Sequence, residues 1–366
     1  MNDDAVIAGV TTKKADDLET FSARVLDLLN AGATTLLLSL GHRSRLFDVL
    51  SRSGAATSVE LAERAGLNER YVREWLAGMT VARVIEFEPA TSRFSLPEVH
   101  AQLLCRGSAA GNMAVFAQYI PLLASVEDDI LECFRNGGGV PYSRYARFHE
   151  VMAEDSEQTV LSALFSHILP LVPGLSERLD RGIRVLDVGC GRGLALNALA
   201  TRFPNSRFTG YDLSEEAIGY AVETARGKGL ANLSFAVRDL RRFDRDAEPE
   251  AYDLVTTFDA VHDQPDPQAL LRGIRRTLTG SGVYLMQDIH GTSHLEKDLD
   301  HPLGPLLYTI SCLHCMTVSL AQRGAGLGAM WGRERAEAML REAGFRSIHV
   351  HRLEHDPQND YYVVRP

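Results

Sequence analysis

The residue types best suited to binding a ligand fall together in one short stretch, "LDVGCGRGL". Gly189, Gly191 and Gly193 follow an apolar run that is typical of a buried strand. A dinucleotide-binding loop requires G-x-G-x-x-G, and here Leu194 occupies the third glycine site. A Walker loop is excluded, because no Gly-Lys-Ser/Thr follows. Asp187, just before the glycines, would repel a pyrophosphate but suits a ligand that carries an ammonium group.

Acidic residues also end the next two predicted strands. Asp212 lies nineteen residues after Gly193, where a carboxylate can accept hydrogen bonds from both ribose hydroxyls. Asp239 follows the third strand and can bind an adenine edge, with Leu240 against the ring. A ribose, an adenine and an ammonium-bearing tail without phosphates together describe S-adenosylmethionine.

The candidate for acid–base chemistry is His262, in the loop "FDAVHDQ" after the fourth predicted strand. In open parallel sheets this edge is where ligands bind. Asp263 could orient the imidazole, or could cap the helix that follows. Alternatively, His262 could take no part in acid–base chemistry and only shape the acceptor pocket. Phe258 is expected to pack near the cofactor, although core packing would explain it as well.

Three further side chains are weaker candidates for contact with an acceptor: His149, His314 and Trp331. His149 lies in "YSRYARFHEVMAEDS", which could cap the site or simply pack between helices. His314 lies between Cys312 and Cys315, but a zinc site needs a second ligand pair at suitable spacing, and none is evident. We therefore expect no metal and interpret "SCLHCM" as apolar helix lining.

The elements that must position these residues alternate between strand and helix from Ile183 onward, which predicts a mainly parallel sheet with helices on both faces. The predicted strands are "IRVLDVG", "RFTGYDL", "LSFAVRD", "YDLVTTF", "GVYLMQDI", "FRSIHVHRL" and "NDYYVVRP". Only "EHDPQ" joins the last two, so they should be antiparallel. The segment 291–332 is too long for an ordinary connection, and its glycines in "GAGLGAMWG" suit a mobile lid.

The first third of the chain predicts helices and a short hairpin. One helix in "DDLETFSARVLDLLNAG" should stop at Gly32, and two short helices, a third helix and the strands "VIEFE" and "RFSL" form a winged helix-turn-helix pattern. We expect domains at 1–105 (winged helix), 106–180 (helical linker or cap) and 181–366 (cofactor binding). From residue 36 to residue 100, eight arginines balance eight acids, so the domain suits dimerisation better than phosphate binding.

Whole-chain properties exclude some functions. The formal net charge of the 366 residues is -10, which argues against a general nucleic-acid binder. Five cysteines at irregular spacing suggest reduced thiols. The start, "MNDDAVIAGV", has acids where a signal peptide needs bases, and no apolar run approaches the length of a membrane span. We expect a cytoplasmic protein with no membrane partner.

At these residues the sequence resembles the class I S-adenosylmethionine-dependent methyltransferases. "VLDVGCGRG", "GYDLS", "VRDL" and "YDLVTTFDAVHD" look like four of that family's motifs, in order. The winged-helix front, "YARFHEVMAEDS" and "HCMTVSLAQRGAGLGAMWG" are similar to two-domain, small-molecule methyltransferases of the actinobacterial type. The resemblance implies a seven-stranded mixed sheet of the Rossmann-like type and these cofactor-binding residues: Asp187, Gly189, Cys190, Gly191, Gly193, Asp212, Leu213, Asp239, Leu240 and Phe258.

The expected function is therefore methyl transfer from S-adenosylmethionine to a small, largely apolar acceptor, with a phenol or carboxylate oxygen as the target, in a homodimer. In-line alignment can supply roughly 7–11 kcal/mol of the barrier, so a strong catalytic constellation need not be visible. The alternative is a winged-helix transcriptional regulator whose cofactor-binding domain is catalytically idle.

Overall fold

A computed structural model describes residues 17–108 and 111–366 of the chain. The interpretation of "MNDDAVIAGV" as lacking a signal peptide lies outside the described residues. The chain divides into two compact units, Met1–Ile120 and Pro121–Pro366. The sequence analysis predicts domain boundaries after residues 105 and 180 instead.

The first unit begins with a long helix, α1 (Leu18–Arg43), whose N-terminus is capped by the Asp17 carboxylate, which accepts a hydrogen bond from the Thr20 N–H. The predicted stop at Gly32 was wrong, because a single glycine costs a helix interior only about 1 kcal/mol and the helix continues for eleven residues beyond it. Most of α1 is exposed, including Leu26, Leu28 and Leu29.

The rest of this unit has the predicted winged-helix elements, which are α2 (Leu46–Ser53), α3 (Ser58–Ala65), α4 (Glu69–Val81), β1 (Glu86–Glu88), β2 (Arg93–Ser95) and α5 (Glu98–Leu104). Strands β1 and β2 form an antiparallel hairpin. Thr57 and Glu60 form a capping box at the start of α3, and Asn68 caps α4. Phe47, Leu61, Leu76 and Met79 are fully buried at the centre of this unit.

Helix α6 (Tyr119–Ala124) crosses the boundary in sequence, and α7 (Glu127–Asn136), α8 (Phe148–Ser156) and α9 (Leu175–Arg181) precede the large sheet. The second unit is then built from seven strands: β3 (Arg184–Val188), β4 (Arg207–Asp212), β5 (Leu233–Val237), β6 (Tyr252–Phe258), β7 (Leu278–Ile289), β8 (Ser347–Leu353) and β9 (Asp356–Arg365). Their order is β5-β4-β3-β6-β7-β9-β8. Strands β3 to β7 are parallel, and β9 pairs antiparallel with both β7 and β8. The predicted seven-stranded mixed sheet is confirmed.

Helices cover both faces of the sheet: α10 (Leu194–Arg202), α11 (Glu215–Gly227), α12 (Phe243–Asp246), α13 (Pro267–Thr277) and α16 (Arg333–Glu342). One core contains Leu186, Val255 and Met286, and the other contains Val185, Leu254 and Leu285, as expected when neighbouring side chains alternate across a buried sheet. The carboxyl ends of β3 to β6 therefore sit side by side on a rigid platform.

The segment 291–332 between β7 and α16 folds into α14 (Gly304–Ile310), a π turn at Ser311–Cys315 and α15 (Met316–Ala321). Among the described residues, Leu18–Arg43 and Gly304–Ala321 are long and apolar enough to span a membrane by length and composition alone. Core helices pass the same test, so this property by itself does not establish a membrane location.

Candidate active site

A cavity of about 670 Å³ opens at the carboxyl ends of β3, β4 and β6. The second unit alone provides all of its lining residues. The lining includes every residue that the sequence assigned to the cofactor: Asp187, Gly189, Cys190, Gly191, Gly193, Asp212, Leu213, Asp239, Leu240 and Phe258. Residues that are up to 71 positions apart in the sequence thus meet in one cavity.

The glycine loop has the backbone that its composition predicts. Gly189, Gly191 and Gly193 have φ values of +74°, +51° and +66°, which favour glycine. A Cβ at Gly189 would lie 2.5 Å from the Cβ of Ala260, whereas one at Gly191 would meet open space. The loop is therefore packed on one side and open to a ligand on the other.

Asp212 at the end of β4 fixes this loop. One of its carboxylate oxygens accepts a hydrogen bond from the Gly191 N–H at 2.8 Å, and the other accepts one from the Ser214 N–H at 2.8 Å. A carboxylate oxygen has capacity for more than one donor, so both remain able to bind ribose hydroxyls. Asp239 accepts from the Arg241 N–H and is exposed, with Leu240 buried beside it.

Asp187 provides a buried negative site below the loop. Its carboxylate accepts a hydrogen bond from the Thr256 hydroxyl at 2.7 Å and is 2% exposed. Burial raises the pKa of Asp187 to about 7, with Asp212 adding to the rise and Thr256 opposing it. An ammonium group would bring this pKa down, so the cavity favours a cationic ligand group at this point.

Aromatic and sulfur-containing side chains form part of the cavity lining. It includes Tyr142, Tyr145, Phe148 and Met152. The Tyr142 hydroxyl donates a hydrogen bond to the Asp263 carboxylate, and burial raises the pKa of Asp263. His149 also lines the cavity, and burial lowers its pKa while Asp212 and Glu216 oppose this.

His262 is 2% exposed and lies outside the set of residues that line the cavity. The structure shows neither of the two roles considered for Asp263, because Nδ1 of His262 lies 2.8 Å from Oδ1 of Asp288 on β7 and Asp266 caps the helix that follows. Burial alone would lower the pKa of His262, but Asp288 outweighs this and holds it well above the usual value. The buried pair is an imidazolium with a carboxylate.

Two of the weaker candidates also lie away from the cavity lining. His314 is buried and stacks on Phe148, with ring centroids 3.9 Å apart. Burial, with His262 and His149 nearby, lowers the pKa of His314 to about 3, so the ring is neutral. Trp331 packs into the sheet core and donates its indole N–H to Asp288 at 3.0 Å. Trp331 is therefore part of the core and does not line the cavity, although the sequence suggested that it contacts the acceptor.

Sequence reasoning missed Asp259, which lines the cavity directly after β6. Its position directly after a predicted strand was the sequence signal that could have found it. In the structure Phe258 pairs with Gln287, which brings the next residues of β6 and β7 to the same edge. Asp259, His262 and Asp288 bring possible metal-ligand atoms within 4.8 Å of one another. Nδ1 of His262 already forms a 2.8 Å hydrogen bond with Asp288, which accounts for the close approach of those two groups.

Comparison with known proteins identifies both units. Residues 32–106 match the family described as "Rv2258c-like winged HTH domain", and residues 179–344 match "Methyltransferase domain". The chain therefore contains a region that matches a winged helix-turn-helix domain and a later region that matches a methyltransferase domain. The match to a methyltransferase domain agrees with the methyl-donor cofactor expected from the sequence.

Curated relatives match only part of the chain. A tRNA (guanine-N(7)-)-methyltransferase of Porphyromonas gingivalis is 32% identical over 130 residues, which is 34% of this chain and 48% of that protein. A ubiquinone biosynthesis O-methyltransferase of Coxiella burnetii is 31% identical over 110 residues, or 30% of this chain and 45% of that protein. The chain thus spans about half the length of the curated relatives it matches.

Solved structures are similar over nearly the whole chain. Human N-acetylserotonin methyltransferase in complex with SAM has a TM-score of 0.66, covering 97% of this chain and 99% of its own, at 17% identity. At that identity the likeness establishes the fold alone.

Proposed function

We propose that the chain is an S-adenosylmethionine-dependent O-methyltransferase for a small, largely apolar acceptor. The observation that carries the proposal is the cavity, in which a glycine loop adjoins Asp187 and Asp212 rather than a phosphate-binding lysine. The relatives named as O-methyltransferases support oxygen as the methylated atom. The aromatic wall at Tyr142, Tyr145 and Phe148 supports an apolar acceptor.

The cofactor would supply an electrophilic methyl group on a sulfonium. Asp212 would hold its ribose hydroxyls, Asp239 and Leu240 its adenine, and Asp187 its ammonium group. The open face at Gly191 lets the backbone approach the ligand closely. These residues bind and align, which is the largest requirement of an in-line displacement.

Calorimetric titration with S-adenosylhomocysteine tests this proposal. Asp212→Asn removes the charge but keeps one acceptor oxygen, so the loop retains part of its support. Each weakened hydrogen bond to the charged group should cost about 1.5–3 kcal/mol, which is about tenfold or more in affinity. The matched control is Glu223→Gln on the exposed side of α11. Equal affinity in the parent and in Asp212→Asn, or no binding to the parent, would reject the assignment.

We also propose that the protein is a cytoplasmic homodimer that does not bind nucleic acid. The exposed leucines of α1 support the dimer, because contiguous apolar surface on a soluble protein usually marks an interface. The net charge of -10 opposes phosphate binding. The five free thiols fit a reducing compartment.

The segment 291–332 is proposed to close over the acceptor. Gln322 brings it to the cavity, and the Ala325 N–H donates a hydrogen bond to the Pro265 carbonyl at 2.9 Å. Hydrogen exchange across 311–325 should slow when S-adenosylhomocysteine and an acceptor are both bound. Unchanged exchange there would argue against a lid.

A further inference from the structure

The charges around the cavity oppose an anionic acceptor. Seven carboxylates and three guanidinium groups line it. Each guanidinium already has a partner: Arg147 pairs with Glu150, Arg192 pairs with Glu216, and Arg238 lies over the Tyr211 ring. A carboxylate acceptor would enter a field in which seven carboxylates face three guanidinium groups, two of them already paired with glutamates.

Asp259 is the acid that the packing leaves available to an acceptor. Its Oδ1 is buried and has no hydrogen-bond partner, although Nδ1 of His262 lies 3.7 Å away. Because Oδ1 is closed off on the His262 side, a ligand in the cavity reaches Asp259 through its other carboxylate oxygen, and the side chain keeps 21% exposure. Asp259 also has a φ of +55°, which is rare for a residue other than glycine and is held by its N–H donating to the Gln287 carbonyl at 2.9 Å.

The position of Asp259 is next to the expected methyl donor. The following residue, Ala260, packs against Gly189 of the glycine loop. The wall around Asp259 carries Phe258, Phe148 and Tyr142, which suit a flat apolar ring. An acceptor ring on these side chains would present its polar group between Asp259 and the cofactor.

Resting on the proposed function, we infer that Asp259 is the general base of the reaction and that the acceptor is an aryl hydroxyl rather than a carboxylate. His262 is a positioning residue: its Nδ1 lies 3.7 Å from Oδ1 of Asp259 and is itself fixed by the hydrogen bond to Asp288. In the step itself the hydroxyl O–H bond breaks and its proton passes to Asp259. The oxygen–carbon bond forms as the sulfur–carbon bond of the sulfonium donor breaks, and that electron pair stays on sulfur.

The electrostatics of Asp259 agree with this role. Burial raises its pKa to about 7, and the groups that act on it are His262, which lowers it, and Asp288, Asp155 and Asp263, which raise it. A base with a pKa near the working pH is effective for a hydroxyl whose own pKa is about 10.

The probes for the test are 2-naphthol and 2-naphthoate, which have the same ring system but a hydroxyl or a carboxylate. With S-adenosylhomocysteine bound at pH 8, the parent should bind 2-naphthol more than about tenfold tighter than 2-naphthoate. Asp259→Asn should reduce the preference for 2-naphthol over 2-naphthoate, because it removes a negative charge that repels the carboxylate of 2-naphthoate. Asparagine tolerates positive φ, so the backbone of this variant is preserved. Glu250→Gln is the matched control, an exposed acid that also has positive φ and lies outside the cavity.

Turnover gives the second readout. With labelled S-adenosylmethionine the parent should methylate 2-naphthol, and Asp259→Asn should lower turnover by about 10²–10⁴ and lose the acidic limb of the pH profile near 7. Any one of four results would overturn the inference. They are equal or tighter binding of 2-naphthoate, binding of neither probe, no methylation of bound 2-naphthol, and an unaltered acidic limb of the pH profile in Asp259→Asn. If the parent fails to bind S-adenosylhomocysteine, it is the proposed function that fails.

Discussion

His262 and Asp288 form a 2.8 Å hydrogen bond between Nδ1 and Oδ1, and both side chains are almost completely buried. The same Asp288 oxygen also accepts hydrogen bonds from the Trp331 indole and from the Ile289 N–H. One carboxylate oxygen thus ties the loop after β6, the strand β7 and the end of the 291–332 segment together. Removing it affects all three at once.

Asp288→Ala should therefore strongly destabilise the protein. It leaves a buried imidazolium without its partner, which typically costs 3–5 kcal/mol in the free energy of unfolding. Urea denaturation at pH 7 measures the loss. Arg341→Ala is the control, since its pair with Glu337 is on the surface and should contribute only about 0–1 kcal/mol. A loss for Asp288→Ala no larger than that of the control would contradict the buried ion pair.

The raised pKa of Asp187 predicts a pH-dependent effect of Asp187→Asn. Between the unfolded pKa near 4 and the folded pKa of about 7, the native state binds more protons than the unfolded state. The parent therefore loses stability from this group as pH rises, and the amide variant does not. Thermal unfolding at pH 5 and pH 8 should show Asp187→Asn gaining stability relative to the parent at the higher pH. If Asp187→Asn were instead less stable relative to the parent at pH 8 than at pH 5, the pKa of Asp187 would not be raised in the folded protein.

The sheet and the cofactor half of the cavity could be predicted from sequence because both depend on local patterns. Strand ends, glycine spacing and the acids at Asp187 and Asp212 are visible without tertiary structure. The partner of His262 could not be found this way, since Asp288 is 26 residues away and meets it only through the pairing of β6 with β7. Asp263 is adjacent in sequence but points to Tyr142.

The same limit explains the other differences. Trp331 lies in a glycine-rich segment that suggested a mobile lid, but its side chain is buried because it packs into the core beside the sheet. Gly32 suggested a helix end, but the helix continues to Arg43, and the chain takes a left-handed conformation only at Arg45, thirteen residues after Gly32. Side-chain pairing and burial are tertiary properties, so only their candidates appear in the sequence.

Gly193→Ala should lower the free energy of unfolding by more than the backbone conformation of Gly193 alone predicts. Both Gly193 and Gly229 have a φ of +66°, so alanine costs about 1–2 kcal/mol at either site. At Gly193 the new Cβ would also lie 2.6 Å from the Phe235 ring, whereas at Gly229 it would meet nothing within 4 Å. Overpacking should add about 1–3 kcal/mol at Gly193. Urea denaturation of both variants checks this, and equal losses would show that the Phe235 ring moves aside freely.

The exposed apolar face of α1 gives a test of the proposed dimer. Leu29 is 66% exposed in the single chain, so a lysine there should be tolerated by the fold but not by an apolar interface. Leu29→Lys should convert the dimer to a monomer, as measured by light scattering at micromolar concentration. Leu299→Lys is the control, because Leu299 is 75% exposed and lies in the second unit. A parent that is already monomeric, or a Leu29→Lys variant that stays dimeric, would exclude α1 as the interface.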